Sequence, residues 1–416
     1  MQVFSHREPA LLITGQAVSG FGDGVATVAY TLLVLDTTHS ASKLAWFAAA
    51  RMTPLVLFLL VGGVIVDRAS RRLLLLISDL MRAVLTGSTA VLLALGVLHF
   101  WELMAFGVLF GMFDAVFMPA MTALTPEIVP EDLLPAMNAI RPLSGNLVAG
   151  MIGPAVGGVL SAWSTTSAIT VDCATFLFSA GALTLMHRTP APARKEGASV
   201  VSEIRDGVHY VAHTRWIWAT LATVTFMNAL VLVPMGVLIP FFLRHDLHTS
   251  KATVGYAFAV FGLSGAIGAL VAGSVKLPRR RLRLMFTFWT IGTLAALIIG
   301  VATNVWEVMA FPLIASPMMV LGNVIWESML QSEVPRDLLG RVSSVDWFAS
   351  LGLSPLGLIL AGSLSAAIGV RKYYVFASLV TCLPGLVALS SKKINEVDRS
   401  RVSRSAIEGP VRATDP

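Results

Sequence analysis

The chain has 416 residues, of which 56% are hydrophobic and 13% charged, and its formal net charge is +6. A soluble domain carries charge on roughly a quarter of its positions, so a water-soluble enzyme is excluded, and the basic residues form no nucleic-acid-binding surface. The mean hydropathy of +0.77 instead indicates a protein that crosses a membrane several times.

Runs of about 20 apolar residues, each long enough to cross the hydrocarbon core of a bilayer, recur along nearly the whole chain. They predict an all-α membrane protein with twelve transmembrane helices. The first span carries Asp23 and lacks a small-residue cleavage site, so we expect a permanent helix rather than a signal peptide. The predicted spans are residues 10–34, 43–66, 73–97, 101–123, 136–162, 167–187, 216–243, 252–275, 284–303, 306–330, 343–368 and 371–390.

Basic residues cluster in the connections that follow even-numbered spans. The clusters are Arg68 to Arg72, Arg188 to Arg215, Lys276 to Arg283 and the tail from Lys392. Such connections lie on one side of the membrane, which the positive-inside rule makes cytoplasmic. We therefore expect both termini in the cytoplasm and the protein in the inner (plasma) membrane of a bacterial cell.

An internal repeat divides the chain. Val129-Pro-Glu-Asp-Leu-Leu134 follows span 4, and Val334-Pro-Arg-Asp-Leu-Leu339 follows span 10, the equivalent position in the second half. Many transporters consist of two such repeats, so we expect two pseudo-symmetric six-helix bundles. The predicted units are residues 1–187 (N-terminal bundle), 188–214 (cytoplasmic linker with a short surface helix), 215–391 (C-terminal bundle) and 392–416 (basic tail).

No phosphate-binding loop of the form Gly-x-x-x-x-Gly-Lys-Ser/Thr is present, so we expect no ATP-driven pump within this chain. No enzymatic activity, cofactor or metal site is predicted. Cys173 and Cys382 both fall inside spans, where they are expected to be packing residues without a disulfide.

The connection after span 2 contains the strongest local motif. A glycine permits close helix packing, an acid can accept hydrogen bonds from a helix N-terminus, and arginines stay near anionic headgroups. This arrangement predicts a cytoplasmic gate, and a simple anchoring loop is the alternative. The motif residues are Gly63, Asp67, Arg68, Arg71 and Arg72.

Span 5 contains Gly153, Pro154, Gly157 and Gly158. Proline removes a backbone donor and bends the helix, while glycines at such spacing permit close approach of a second helix. The motif predicts a bent, tightly packed span, with packing alone as the alternative to a functional role.

Charges inside a membrane are costly and are therefore functional candidates. In span 1, Asp23 belongs to a polar stripe with helical spacing that is expected to line a wet cavity, where a proton and a substrate compete for the carboxylate. Permanent pairing of Asp23 with Arg51 of span 2 is the alternative. The other stripe residues are Gln16, Ser19, Thr27 and Tyr30.

Three further acids lie within spans. Asp114 of span 4 is expected either to couple protons or to form a structural pair, for which Arg141 is the favoured cation. Glu327 of span 10 and Asp346 of span 11 are expected to contact substrate or the cytoplasmic gate. Several aromatic residues are candidates for the wall of an apolar pocket, with lipid-facing or core positions as the alternative; they are Phe113, Phe117, Phe226, Phe261, Trp289 and Trp347.

The motif from Gly63 to Arg72 resembles the signature loop of the major facilitator superfamily, Gly-x-x-x-Asp-Arg-x-Gly-Arg-Arg/Lys, with Ser70 in place of the second glycine. The resemblance implies that Asp67 docks on the N-terminal end of span 11. The span 5 motif resembles the antiporter motif of drug-exporting members. Gly22-Asp23-Gly24, Asp79 with Arg82, and Gln331 followed by Pro335 resemble the branch of macrolide efflux proteins and the enterobactin exporter.

We therefore expect a proton-coupled antiporter that exports amphipathic small molecules by alternating access. Its expected partners are a small-molecule substrate, protons and membrane lipids, with the monomer as the functional form. A solute importer, a lipid flippase and a non-transporting membrane receptor are the alternatives.

Overall fold

The structure is a computed structural model that describes residues 5–58, 69–130, 133–134, 137, 145–187, 200–274, 280–335 and 338–390. Throughout these residues the secondary structure is helical, and no strand occurs among them. The chain is therefore all-α where it is described, as the continuous apolar runs predict.

Among the described residues, the helices that precede the predicted linker are α1 (Arg7–Thr38), α2 (Ala41–Phe58), α3 (Arg71–Ala94), α4 (Phe100–Ile128), α5 (π-helical over Gly145–Ile152, then α-helical over Gly153–Trp163) and α6 (Thr165–Leu185). Helix α7 (Val200–His213) lies within the linker. The remaining helices are α8 (Arg215–Asp246), α9 (Lys251–Ser274), α10 (Arg281–Val301), α11 (Val305–Glu333), α12 (Leu339–Ile368) and α13 (Val370–Ser390).

Ten of the described helices are long and apolar enough to cross a membrane, and Leu147–Trp163 is a shorter apolar helix. Helix α2 begins where the second span is predicted, and the rest of that span lies outside the described residues. The chain is thus a multi-pass membrane protein, and the count of twelve spans stays a prediction.

Several helices change their winding where the sequence interrupts the backbone hydrogen bonds. Helix α8 is π-helical over Asn228–Leu232, immediately before Pro234. Helix α5 changes from π to α winding at Gly153, beside Pro154. Proline lacks the backbone N–H that a regular helix needs, and π segments widen the helix locally, often at functional sites.

The helices before and after the linker pack in the same order. Helix α1 contacts α5 and α6, α2 contacts α4, and α3 contacts α4 and α6. In the second half α8 contacts α12 and α13, α9 contacts α11, and α10 contacts α11 and α13. This equivalence is what a duplicated bundle produces.

The two hexapeptides of the repeat also adopt the same turn where both are described. The Val129 N–H donates to Thr125 O and the Leu133 N–H to Pro130 O. In the second copy the Val334 N–H donates to Leu330 O and the Leu338 N–H to Pro335 O. The shared sequence therefore encodes the same exit from α4 and α11.

The linker helix α7 packs on the start of α12. The Arg341 guanidinium lies 2.7 Å from the Asp206 carboxylate. A Cβ at Gly207 would lie 2.8 Å from Arg341 O, so this glycine permits the close approach of the two helices.

Candidate functional site

A buried arginine lies at the centre of the N-terminal helices. Arg82 of α3 is 1% exposed. Its Nη2 lies 2.5 Å from Asp79 Oδ1, one turn away on the same helix, and its Nη1 lies 3.4 Å from Asp114 Oδ1 of α4. A charge buried in a membrane protein needs such partners, because an unpaired one is strongly destabilising.

Aromatic rings complete the surroundings of this guanidinium. The Arg82 Cζ lies 4.2 Å from the ring centroid of Phe117 and 4.6 Å from that of Phe176. Both distances are within the range of cation–π attraction, which strengthens when water is excluded. Phe117, predicted as a pocket-wall candidate, thus packs on Arg82 in the core.

Among the described residues Asp114 pairs with Arg82. Arg141, the cation that the sequence suggested, lies outside the described residues, so that pairing stays a prediction. Gly111, one turn before Asp114, packs on α2, where an added Cβ would lie 2.0 Å from Arg51 O. The space beside Asp114 therefore serves close packing of α2 and α4.

The polar stripe of α1 faces neighbouring helices more than a cavity. Gln16 Nε2 donates to Ser179 Oγ of α6 at 3.2 Å, and Ser19 and Tyr30 are buried. Only Thr27 of the five stripe residues is exposed, and Asp23 is half-buried. Packing thus covers Ser19 and Tyr30, and a wet cavity lined by the whole stripe stays a prediction.

Asp23 lies close to the cluster formed by Arg82, Asp79 and Asp114. Arg82, Asp114, Arg51 and Asp79 all act on its carboxyl electrostatically. Among the ion pairs of the described residues none joins Asp23 to Arg51. The Arg51 guanidinium lies 4.1 Å from the Phe110 ring centroid instead, a cation–π arrangement.

Sequence reasoning missed an acid of the N-terminal helices, Asp172 of α6. Its side chain is 0% exposed, and neither carboxyl oxygen has a hydrogen-bond partner. An added Cβ at Gly22 of α1 would lie 2.8 Å from Asp172 Oδ1, so the carboxyl lies directly against the backbone of α1. An acid inside an apolar run was the available signal, and it was the same signal that identified Asp23.

The C-terminal helices contain a cavity of about 420 Å³ between α8, α10, α11 and α12. This volume falls within the range of about 300–1,000 Å³ that is usual for small-molecule sites. The lining combines apolar, aromatic and amide side chains with two acids, and within the described part of the chain it includes no lysine, arginine or histidine. Its polar and aromatic members include Asn228, Trp289, Asn323, Trp326, Glu327, Ser343, Asp346, Trp347 and Ser350.

Asp346 is held in the wall of this cavity. Trp326 Nε1 donates to Asp346 Oδ2 at 3.2 Å, and Ser350 Oγ donates to Oδ1 at 3.3 Å. Glu327 also lines the cavity and is exposed there. The structure thus places both acids, each expected to contact substrate or the cytoplasmic gate, in the wall of one cavity.

Of the six aromatic candidates for a pocket wall, Trp289 and Trp347 line the cavity. Trp289 Nε1 donates to Asn323 Oδ1 at 3.1 Å, which fixes the indole. Phe226 is exposed, and Phe261 lines a smaller apolar recess between α8, α9 and α11.

The glycines of the span 5 motif make close contacts with two different helices. Cβ atoms at Gly153 and Gly157 would lie 2.7 Å from Phe21 O and 2.5 Å from Val25 O of α1. At Gly158 the added Cβ would lie 2.7 Å from Gly255 Cα of α9, a helix of the other half. The motif therefore packs α5 inside its own half and also against the second half.

The two halves also meet on one side of the molecule, where α1 ends at Thr38 and α9 begins at Lys251; we call it the distal face. Here Asp36 Oδ2 lies 2.6 Å from Lys251 Nζ, and Asp36 Oδ1 lies 3.5 Å from Arg244 Nη2. Ser42 Oγ donates to Gly362 O at 2.9 Å. The cavity lies toward the other side, the terminal face, where α1 begins at Arg7 and α13 ends at Ser390.

The predicted gate motif is partly described. Gly63, Asp67 and Arg68 lie outside the described residues. Arg71 donates to Ala123 O at 3.1 Å and pairs with Glu127, both at the end of α4.

The neighbouring Arg72 donates to two carbonyls at the end of α6, Leu183 O at 2.6 Å and Thr184 O at 2.8 Å. Both arginines thus compensate the negative ends of helix dipoles on the terminal face.

The family model of the Major Facilitator Superfamily matches residues 12–354. Multidrug efflux pump Tap of Mycolicibacterium fortuitum is 30% identical over 94% of this chain and 98% of its own length. Tap of Mycobacterium tuberculosis is also 30% identical, over 95% and 96% of the two chains. Macrolide efflux protein A of Streptococcus pyogenes is 22% identical, over 92% and 95%.

Solved structures share the fold. The nucleoside transporter NupG superposes with a TM-score of 0.72 at 11% identity, covering 94% of this chain and 99% of that chain. A POT family transporter in complex with a thioalcohol-conjugated peptide gives a TM-score of 0.70 at 13% identity, covering 92% and 96%.

Proposed function

This chain belongs to the major facilitator superfamily, and we propose that it is a proton-coupled exporter of amphipathic small molecules. The similarity to multidrug efflux pumps over nearly the full length carries the proposed direction of transport. We place the protein in the bacterial inner membrane as a monomer, with the terminal face in the cytoplasm, because the described basic residues Arg71, Arg215 and Arg281 begin helices on that side.

The cavity of the C-terminal helices supports the proposed substrate class. Its tryptophan and methionine side chains offer apolar contact, while Asn228 and Asn323 offer hydrogen bonds. Pockets of this composition accept molecules by shape and apolar area and orient them through a few polar groups. A molecule with one apolar and one polar end fits such a lining.

Alternating access provides the mechanism. In the proposed cycle residues 1–187 rock against residues 215–391 around a site near the membrane midplane. Contacts between α5 and α9 and between α2 and α12 close the distal face, while the cavity lies toward the terminal face. We assign this arrangement to the state that takes up substrate from the cytoplasm.

The acids that lie within the N-terminal helices support proton coupling. Asp23, Asp79, Asp114 and Asp172 share their surroundings with Arg51 and Arg82. Acids at membrane depth are the groups that carry protons in many transporters.

Expression in a drug-sensitive bacterial host tests the function. We expect reduced toxicity of amphipathic drugs compared with an empty vector, and abolition of this protection by an uncoupler. In inside-out vesicles, addition of an exported drug should release protons from an acidified lumen. Uptake of the drug into whole cells, or lipid movement without drug movement, would contradict the proposal.

A further inference from the structure

We propose that Asp172 is a proton-binding residue of the transport cycle, carrying its proton in the arrangement seen here. This inference deepens the proposed function and rests on it for its role in coupling. The carboxyl of Asp172 lies between α6 and the backbone of α1, and no hydrogen bond reaches either oxygen.

Burial without a partner argues for the neutral acid. An ionised carboxylate that has lost water and gained neither a hydrogen bond nor an ion pair is strongly disfavoured, and such groups take up a proton instead. The hydroxyl of Thr175, one turn further along α6, is already engaged, because Thr175 Oγ1 donates to the Asp172 backbone carbonyl at 2.8 Å.

The charges around Asp172 also favour its neutral, protonated form. Asp23 of α1, Arg51 of α2 and Arg82 of α3 are the charged groups that act on it, and the described part of α5 carries no ionisable side chain. Arg82 is already paired with Asp79 and Asp114. Four acids therefore share two guanidinium groups, and Asp172 is the fully buried acid with neither carboxyl oxygen bonded.

The contact with α1 gives the site a means of release. Gly22 permits the close approach, because any side chain at this position would collide with Asp172 and Thr175. A local shift of α1 relative to α6, within the N-terminal half, would admit water to the carboxyl. The proton then leaves to that water, and the remaining carboxylate is neutralised by Arg51 or Arg82.

Infrared difference spectroscopy of the purified protein tests whether Asp172 carries a proton, and the measurement needs no substrate. We expect the wild type to show a C=O stretching band of a protonated, weakly hydrogen-bonded carboxyl that shifts in deuterated water. Asp172→Asn should lose this band, and the matched variant Asp114→Asn should keep it. The absence of the band in the wild type, or its survival in Asp172→Asn, would overturn the proposal.

Proteoliposomes test the role in coupling, with ethidium as the amphipathic probe. Asp172→Asn replaces the neutral acid by an amide of the same shape, so we expect normal thermal stability and retained downhill flux. Proton-driven ethidium accumulation should fall at least about tenfold, because the coupling between the proton site and the substrate site is lost and such couplings are typically of this size. If the wild type and Asp172→Asn accumulate ethidium equally, the role of Asp172 is refuted, while the proposed function stands. If the wild type moves ethidium without moving protons, the proposed proton coupling itself is refuted.

Discussion

Asp36 of α1 and Lys251 of α9 form an ion pair of 2.6 Å that joins the two halves of the molecule across its distal face. Arg244 at the end of α8 lies 3.5 Å from the same carboxylate. The pair and the glycine contacts between α5 and α9 hold this face closed, while a cavity lies toward the terminal face.

Removing the Asp36 carboxylate should favour opening of the distal face. The side chains of the pair are about one-third exposed, so the pair contributes about 0.2–1 kcal/mol, a population shift of about 1.4- to 5-fold. Ala45 is fully buried beside Gly362 in the closed state. Asp36→Asn should therefore speed labelling of Ala45→Cys by an impermeant maleimide.

The labelling is done with Cys173 and Cys382 replaced by serine. Glu8→Gln is the control, because Glu8 pairs with His187 within one half, and its labelling rate should equal that of the parent. An unchanged rate in Asp36→Asn would show that the pair does not hold the face closed.

Neighbouring glycines of α5 should fail in different ways. Gly157→Val collides with Val25 inside the N-terminal half, so we expect less folded protein. Gly158→Val collides with Gly255 across the two halves and should leave folding intact while preventing closure and transport. Fluorescence-detected size-exclusion chromatography and efflux assays separate the two outcomes. Equal folding yields for both variants would contradict this assignment.

The two acids bound to Arg82 should differ in their effect on stability. Asp79 is fully buried, and its Oδ1 lies 2.5 Å from Arg82 Nη2. The side chain of Asp114 is 30% exposed, and its Oδ1 lies 3.4 Å from Arg82 Nη1. Asp79→Asn leaves a buried cation poorly compensated and should destabilise by about 3–5 kcal/mol, with a smaller loss for Asp114→Asn. Thermal unfolding in detergent measures both.

A second substitution provides the control for this prediction. Arg82→Met in the Asp79→Asn background should recover part of the lost stability, because it removes the uncompensated charge. Additive losses in the double variant would contradict the coupling.

The cavity acids should select for positive charge on the substrate. Glu327 and Asp346 face a lining that contains no basic side chain among the described residues. Glu327→Gln should therefore weaken efflux of cationic amphipathic drugs more than efflux of neutral ones. Glu333→Gln, on the same helix but outside the cavity, is the matched control. Equal losses for both drug classes would exclude charge recognition by Glu327.

Asp67 is predicted, from the family resemblance, to dock on the start of α12. Charge at a helix N-terminus is worth up to about 2 kcal/mol when partly buried. Asp67→Asn should cut efflux while expression stays near the wild-type level, and Asp206→Asn on the linker helix should have little effect. Unchanged efflux in Asp67→Asn would remove the gate assignment.

The sequence by itself determined the class, the positions of the spans that the structure describes, the repeat and the family. These follow from local properties, because each helix must satisfy its own backbone in lipid and present an apolar run of sufficient length. The hexapeptide after α4 and its copy after α11 likewise encode the same turn locally. Single acids inside apolar runs identified Asp23 and Asp114 as candidates.

Only the tertiary structure decided which charges meet. Residue spacing offered Arg51 as the alternative partner of Asp23 and did not identify Arg82 as a partner of Asp114, yet Asp114 pairs with Arg82 and Arg51 lies over Phe110. Pairing depends on the rotation, tilt and depth of each helix, which differ by ångströms that residue spacing does not encode. For the same reason, only the packed helices showed that Asp172 lies buried without a partner.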